Sequence, residues 1–406
     1  MNILTLTSSY PKFEGDPTAP FIESITRSVA ARGHTVHVVL PAHRKWNRPH
    51  SEDGVFFHPY RYSPLRSWTP WGYSEALEDG RRIRPSLYPL APLVVGSAQR
   101  TCAAVTARTR IDVVHAHWLV PNGLIGALAA RRCKLPLVVS LHGSDVAVAE
   151  RSKALGWLAR TSLSRSAAVT APSRDLLERA RALGASGRLD WLPYGADSGE
   201  FRPDGQGRAR MRSQLGLEPD GVIVLGIGRL IHMKGFDDLI EAVGIARAER
   251  PQIRLVLAGD GDLRSALEAQ VRRLGVEDFV TFAGMVGRDD VPSYFEAADI
   301  VAVPSVHHQG FVDGLPNVAL EGMASAKPLV VTRVGALPDV VDDEVTGLVI
   351  EERDPAALAR ALVRLASNLE LREAMGRRGR MKILESLNWE TVAERLEGVF
   401  ESVARD

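Results

Sequence analysis

Cysteine is scarce in this chain of 406 residues. Cys102 and Cys133 are the only two, too few for a disulfide framework, and neither sits in a CxxC pair. That usage suits a reducing compartment and points to the cytoplasm. Long apolar runs are missing too: none approaches the ~18–20 residues a membrane-spanning helix needs. The amino terminus, Met1-Asn2-Ile3-Leu4-Thr5-Leu6-Thr7, has no basic lead or cleavage site and reads as a buried strand rather than a signal peptide. No G-x-S-x-G elbow supports Ser-His-Asp hydrolysis. The pairs His115/His117 and His307/His308 lack third and fourth ligands at useful spacing, so no metal site and no cofactor are expected. Nothing suggests a nucleic-acid partner.

What is present is an ordinary globular composition, 45% apolar and 24% charged. The length exceeds one typical core, so two domains are expected. The net charge of +1 conceals an asymmetry: residues 1–197 carry 25 Lys and Arg against 15 Asp and Glu, and the remainder is acidic. This is either chance surface composition or a first half that meets an anionic surface or acceptor.

Short apolar runs alternate with helical patterns, which predicts parallel sheets in α/β domains. Strands are expected at Ile3–Thr7, Thr35–Leu40, Val113–His115, Leu137–Leu141, Ala168–Thr170 and Leu189–Leu192. In the second half they are expected at Val222–Gly226, Ile253–Ala258, Val280–Phe282, Ile300–Val303, Leu329–Thr332 and Leu348–Ile350. Turn formers at Tyr194–Asp197 and Phe201–Gly207 mark the domain break, near 195–215. Region 44–90 is the hardest to read. Its Trp46, Tyr60, Tyr62, Trp68, Trp71, Tyr73 and Tyr88 suit either an irregular insertion with aromatic anchors or an acceptor- or membrane-contacting surface.

Two groups of residues carry chemistry. Gly226-Ile227-Gly228-Arg229 closes an apolar run and Lys234-Gly235 follows. Glycines after a strand allow a close backbone approach to a ligand, and the next helix offers free N–H groups to an anion. A dinucleotide fingerprint would need glycine at 231, where Ile231 stands. Arg229 offers a fork for phosphate oxygens and Lys234 a point charge; alternatively both are solvated residues after a strand. Asp313 and Glu321 stand eight apart around Gly314-Leu315-Pro316-Asn317, a turn opening a helix with Pro316 near its first position. Carboxylates can accept pairs of hydroxyl bonds from a ribose or hexose diol. His142 follows a strand end, where ligands of open α/β sheets gather. Asp260-Gly261-Asp262 spells DxD, but a turn plus a helix cap explains it without a metal.

Together these residues resemble the retaining glycosyltransferases of family 4, across nearly the whole chain. The specific matches are Gly228-Arg229-Leu230, Lys234-Gly235-Phe236, Leu257–Gly261, Phe282-Ala283-Gly284, Ala298-Asp299-Ile300, Gly314–Ala324, Val334–Val341 and Gly347-Leu348-Val349. In the first half they are Thr7–Pro11, Gly33-His34, His115–Trp118 and His142–Asp145. The resemblance implies a GT-B fold, two Rossmann-like parallel-sheet domains facing across a cleft. Residues 1–197 would bind the acceptor, joined by a helix at 389–406 that crosses back, and residues 198–388 would bind the donor. Arg229 and Lys234 would hold the donor diphosphate beside Gly228 and the Gly314–Asn317 turn, and Glu321 the ribose. Met285 and Val286 would border the base. Asp313 stands where the family has a glutamate contacting the donor sugar, one methylene shorter, so either the sugar sits closer or the donor sugar differs. His142 would lie beside the sugar and, with Arg229, Lys234 and Asp313, form the catalytic set. Gly15, His117 and Asp145 would face the acceptor, although the family's usual glycine pair is replaced by Glu14-Gly15-Asp16-Pro17.

The implied reaction moves a sugar from a UDP- or GDP-linked donor to a hydroxyl acceptor, with retention and without a metal. The acceptor would be a lipid-linked, polysaccharide or glycolipid intermediate, at the inner face of the cell membrane. The alternatives are a nucleotide-sugar epimerase, an inverting GT-B enzyme, or a catalytically silent nucleotide-sugar-binding protein.

Overall fold

Runs such as Ile253–Ala258 are apolar on both faces, and strands of this kind survive only with helices above and below the sheet. A computed structural model describes residues 1–405 except 17, 64, 66, 67, 73–76, 79–81, 204, 206 and 219. It divides the chain into two units, Met1–Leu192 with Trp389–Asp406, and Pro193–Asn388. Pro17, Tyr73, Asp204 and Gln206, which entered the readings above, lie outside the described residues.

The first unit runs β1 (Asn2–Leu6), α1 (Pro20–Ala31), β2 (Thr35–Pro41), β3 (Ser51–Glu52), β4 (Val55–Tyr60), β5 (Leu77–Glu78), β6 (Arg82–Ile83), α2 (Ala91–Arg108), β7 (Val113–His117), α3 (Leu124–Cys133), β8 (Leu137–Ser140), α4 (Ser144–Arg151), α5 (Lys153–Leu163), β9 (Ala168–Ala171), α6 (Arg174–Ala182) and β10 (Arg188–Trp191). Its main sheet has the order β10-β9-β8-β7-β1-β2-β4-β3, parallel except for β3. Ile3 lies opposite Val36 on one side and Val113 on the other, so strand order reverses between β1 and β7. Two apolar layers fill the faces. One joins Leu4, Leu6 and Val39 to Val94 and Ala98 of α2.

The second unit runs α7 (Arg208–Gln214), β11 (Val222–Ile227), α8 (Phe236–Ala246), β12 (Ile253–Ala258), α9 (Arg264–Leu274), β13 (Val280–Gly284), α10 (Val291–Ala297), β14 (Ile300–Val303), α11 (Asn317–Ala324), β15 (Leu329–Thr332), α12 (Leu337–Val340), β16 (Gly347–Ile350), α13 (Pro355–Ser367) and α14 (Leu369–Ser386). The sheet order is β13-β12-β11-β14-β15-β16, all parallel. The reversal between β11 and β14 leaves a crevice at their carboxyl ends, the usual ligand position in such sheets.

The last helix, α15 (Trp389–Ala404), belongs to the first unit. Val392, Leu396, Val399 and Phe400 pack into the layer that holds Ile22, Ile25 and Val29 of α1. Its Glu397 accepts bonds from Arg32 Nε at 2.6 Å and His34 Nε2 at 2.8 Å.

Region 44–90 departs from the irregular segment expected. It contributes β4, parallel to β2, which extends the sheet by a full strand. Trp46 packs edge-on against Phe57, and Trp71 is buried with its backbone N–H donated to the Tyr62 hydroxyl at 2.7 Å. Trp68 and Tyr88 stay exposed. No helix among the described residues is long and apolar enough to cross a membrane.

Candidate active site

Gly228 follows β11 in a positive-φ conformation, and a Cβ there would meet the Lys234 side chain at 3.4 Å. A short 3-10 turn, His232–Lys234, brings Lys234 back over this glycine. Gly235 (φ +62) is needed because a Cβ would sit 1.9 Å from the Pro304 carbonyl of the β14 loop. The geometry therefore seats Lys234 between the loops that follow β11 and β14. Its Nζ bonds Asp313 Oδ2 at 2.5 Å. The Asp313–Gly314 turn is braced from behind by Gly335, where a Cβ would meet the Asp313 carbonyl at 2.3 Å, and by the Ala336 N–H donating to the Gly314 carbonyl. Arg229 is exposed, and its guanidinium has no partner among the described residues.

The sequence led to an expectation that the helix after Gly226–Gly235 presents its N–H groups to an anion. The structure differs. The first turn of α8 carries Asp237 and Asp238, held by Arg353 at 2.9 and 3.3 Å, and this negative charge repels a phosphate. The helix end suited to an anion is that of α11. Gly314 and Leu315 lead into it, Pro316 caps it, and no acidic residue lies in its first turn.

Glu321 lies in the second turn of α11, half-buried, with no hydrogen-bond partner for its carboxylate among the described residues. Burial pushes its carboxyl up to about 7, and the Glu200 carboxylate adds to the rise; Arg288 and Lys234 pull the other way. Glu200 itself is raised by burial, against the pull of Arg288. Glu200 and Arg288 escaped the sequence reading. They stand 121 and 33 residues from Glu321 with no shared spacing, so only the fold reveals the cluster. Met285 follows β13 and is 81% exposed, and Val286 is half-buried beside it.

In the first unit, β7 ends in His117, and His142 lies two residues past the end of β8. His117 Nδ1 lies 3.1 Å from His142 Nε2, and the His142 ring packs 4.7 Å from Trp118 and 5.1 Å from Phe21. Burial pushes His142 down to about 3, so its imidazole is neutral. Asp145 Oδ2 accepts the Leu119 N–H, and Oδ1 accepts those of His142 and Gly143. Asp145 thus shapes the His142 loop. His117 is wholly buried behind it. Gly15 is exposed at φ +79 with open space around it, in a loop tied by Asp16 to the Lys12 ammonium at 2.8 Å.

Other motifs have structural explanations. Asp299 accepts Arg208 at 2.5 Å, Arg212 at 2.6 Å and the Ile223 N–H at 2.7 Å, fastening α7 to the sheet. The helix cap expected from Asp260-Gly261-Asp262 is not formed by either aspartate: the N-cap position of α9 is Leu263, without a side-chain bond, and Asp260 Oδ1 takes the Gly261 N–H. Among the described residues no group of three or more His, Cys, Asp or Glu is arranged to hold a metal ion.

The family model described as "Glycosyl transferases group 1" matches residues 207–382, and that described as "Glycosyl transferase 4-like domain" matches 18–195. A GDP-mannose-dependent alpha-(1-6)-phosphatidylinositol monomannoside mannosyltransferase of Mycolicibacterium smegmatis is 35% identical over 68% of this chain and 72% of its own. A D-inositol 3-phosphate glycosyltransferase of Streptomyces avermitilis is 33% identical over 71% of this chain and 65% of its own. The chain belongs to the GT4-type GT-B glycosyltransferases. A solved sucrose-phosphate synthase from Thermosynechococcus elongatus shares the fold, with a TM-score of 0.76 and 21% identity over 99% of this chain and 98% of that one. In this glycosyltransferase the two matched regions fall one in each structural unit.

Proposed function

We propose that the enzyme transfers a hexose from a nucleoside-diphosphate sugar to a phosphate-bearing lipid or glycan acceptor, with retention of configuration and without a metal. The observation that carries this reading is the placement of Lys234 over Gly228, next to an unpaired Arg229 and facing Asp313. In the proposal both cations and the amino end of α11 meet the diphosphate, whose charge grows as the glycosidic bond breaks, so they favour the transition state over the ground state. Glu321, with Glu200 beside it, accepts the ribose hydroxyls. Asp313 leaves Lys234 to the diphosphate and turns to the sugar, and Met285 and Val286 border the base. For the first unit, His142 supplies a neutral imidazole to the transferred sugar, and a donor phosphate oxygen takes the proton of the attacking acceptor hydroxyl.

The acceptor class is supported by the basic balance of residues 1–197 and by relatives whose names specify a phosphatidylinositol mannoside and an inositol phosphate. A cytoplasmic protein that touches the inner membrane face fits that chemistry. GDP-mannose and UDP-glucose are the donors to try first. The test is transfer to such acceptors by wild type and by Arg229→Ala/Lys234→Ala, in the presence of EDTA, with the product anomer read by NMR. Wild type should retain the α configuration and ignore EDTA. The double variant should lose at least ~100–1000-fold in rate, about 3–4 kcal/mol. Near wild-type transfer by the double variant removes the diphosphate assignment.

A further inference from the structure

A second pocket, of about 470 Å³, opens in the first unit between the β2–β4 edge of the sheet and the carboxyl-terminal half of α2. Its volume falls in the ~300–1,000 Å³ range of small-molecule sites. It lies at the opposite end of the strands from His117 and His142. His37 is the third residue of β2, and α2 ends at Arg108, just ahead of the first residue of β7. It is therefore separate from the chemistry proposed above and does not depend on that reading.

The lining is cationic and imidazole-rich. His37, His50 and His58 face Arg100 and Arg108, and no carboxylate lines the pocket among the described residues. Arg100, Thr101, Ala104, Val105 and Arg108 recur at helical spacing, which puts both guanidinium groups on one face of α2, about 12 Å apart along its axis. Both arginines are exposed, and neither has a hydrogen bond or ion pair among the described residues. The inner wall holds an unmet polar group. His37 is 6% exposed, its Nδ1 lies 3.1 Å from His58 Nε2, and its own Nε2 is buried without a partner among the described residues. In the tautomer where His58 donates, that Nε2 carries a proton and is an orphan donor. A buried orphan donor is destabilising, so a ligand that accepts from it recovers the lost hydrogen bond. Burial and the neighbouring rings push His58 down to about 4 and lower His37, so both rings are neutral at pH 7. Phe56, stacked 5.2 Å from His37, and Ala104 supply an apolar wall.

We infer that this pocket binds a small organic phosphate, with Arg100 and Arg108 gripping the anionic groups, His37 donating to one oxygen, and the organic body lying on Phe56. The phosphate could be carried by a soluble metabolite or by a lipid headgroup. Calorimetry on the full chain bearing Arg229→Ala/Lys234→Ala, which removes the donor cations, decides between these outcomes. Glucose 6-phosphate is titrated first, then phosphatidic acid vesicles against phosphatidylcholine vesicles. One saturable site for the soluble ester supports a metabolite ligand, and binding to phosphatidic acid alone supports a headgroup. In either case Arg100→Ala/Arg108→Ala should weaken binding at least tenfold without lowering Tm, because both side chains are exposed, and His37→Phe should weaken it several-fold. Absence of binding to both probes, or binding untouched by the arginine substitutions, overturns the inference.

Discussion

At the residue scale the candidate site rests on carboxylates in different situations. Asp313 is paired with Lys234, whereas Glu321 has no hydrogen-bond partner among the described residues and feels the charge of Glu200. The shorter Asp313 keeps its carboxylate close to the backbone of its turn. Asp313→Glu should push it about one methylene further toward the sugar and change the ranking of a panel of nucleotide-sugars in a transfer assay; an unchanged ranking removes the role given to this position. For Glu321 the folded carboxyl titrates at about 7, above its ordinary 4.5. The folded state thus binds more protons than the unfolded chain between those values, and stability falls as pH rises through that window. Glu321→Gln should therefore match wild type near pH 4 and exceed it in Tm at pH 8, by ~2–4 °C for each kcal/mol relieved. Nucleotide affinity should move the other way in wild type, rising up to ~10-fold from pH 6 to pH 8 as the acceptor form of the carboxylate fills. Thermal scans and calorimetry across pH check both.

At the element scale, glycine placement decides whether the site exists. Gly235→Ala would force a Cβ against the Pro304 carbonyl in a conformation that alanine disfavours. A loss of about 1–3 kcal/mol is expected, with Tm several degrees lower and weakened nucleotide binding, measured by thermal scans with and without nucleoside diphosphate. The same scale shows what the sequence could and could not disclose. Buried parallel strands such as Ile253–Ala258, Ile300–Val303 and Leu329–Thr332 were legible to the residue, because a strand covered on both faces must be apolar throughout. β4 was not, because Val55–Tyr60 mixes buried positions with His58 and an exposed Pro59 near the sheet edge. The Lys234 and Asp313 partners were legible as motifs. Their direct ion pair, and the electrostatic influence of Glu200 and Arg288 on Glu321, were not, since both depend on how loops from different strands meet. The acidic first turn of α8 was visible in Asp237-Asp238, but its pairing with Arg353, 115 residues beyond Asp238, was not.

At the scale of the whole molecule, each unit has its own core and its own chemistry. The first carries a neutral His142 in an aromatic surround and a separate cationic pocket under α2, and it is completed by α15, the last helix of the chain. The second carries the cations and carboxylates suited to a nucleotide diphosphate. The central claim is that Arg229 and Lys234 hold the diphosphate while Glu321 holds the ribose. Calorimetry of wild type, Arg229→Ala/Lys234→Ala and Glu321→Gln against GDP, UDP and the corresponding nucleosides tests it most directly. The account predicts that wild type prefers one diphosphate over its nucleoside by at least ~100-fold, that the double cation variant loses this preference, and that Glu321→Gln weakens diphosphate and nucleoside alike. A double variant that still prefers the diphosphate by the wild-type margin contradicts it.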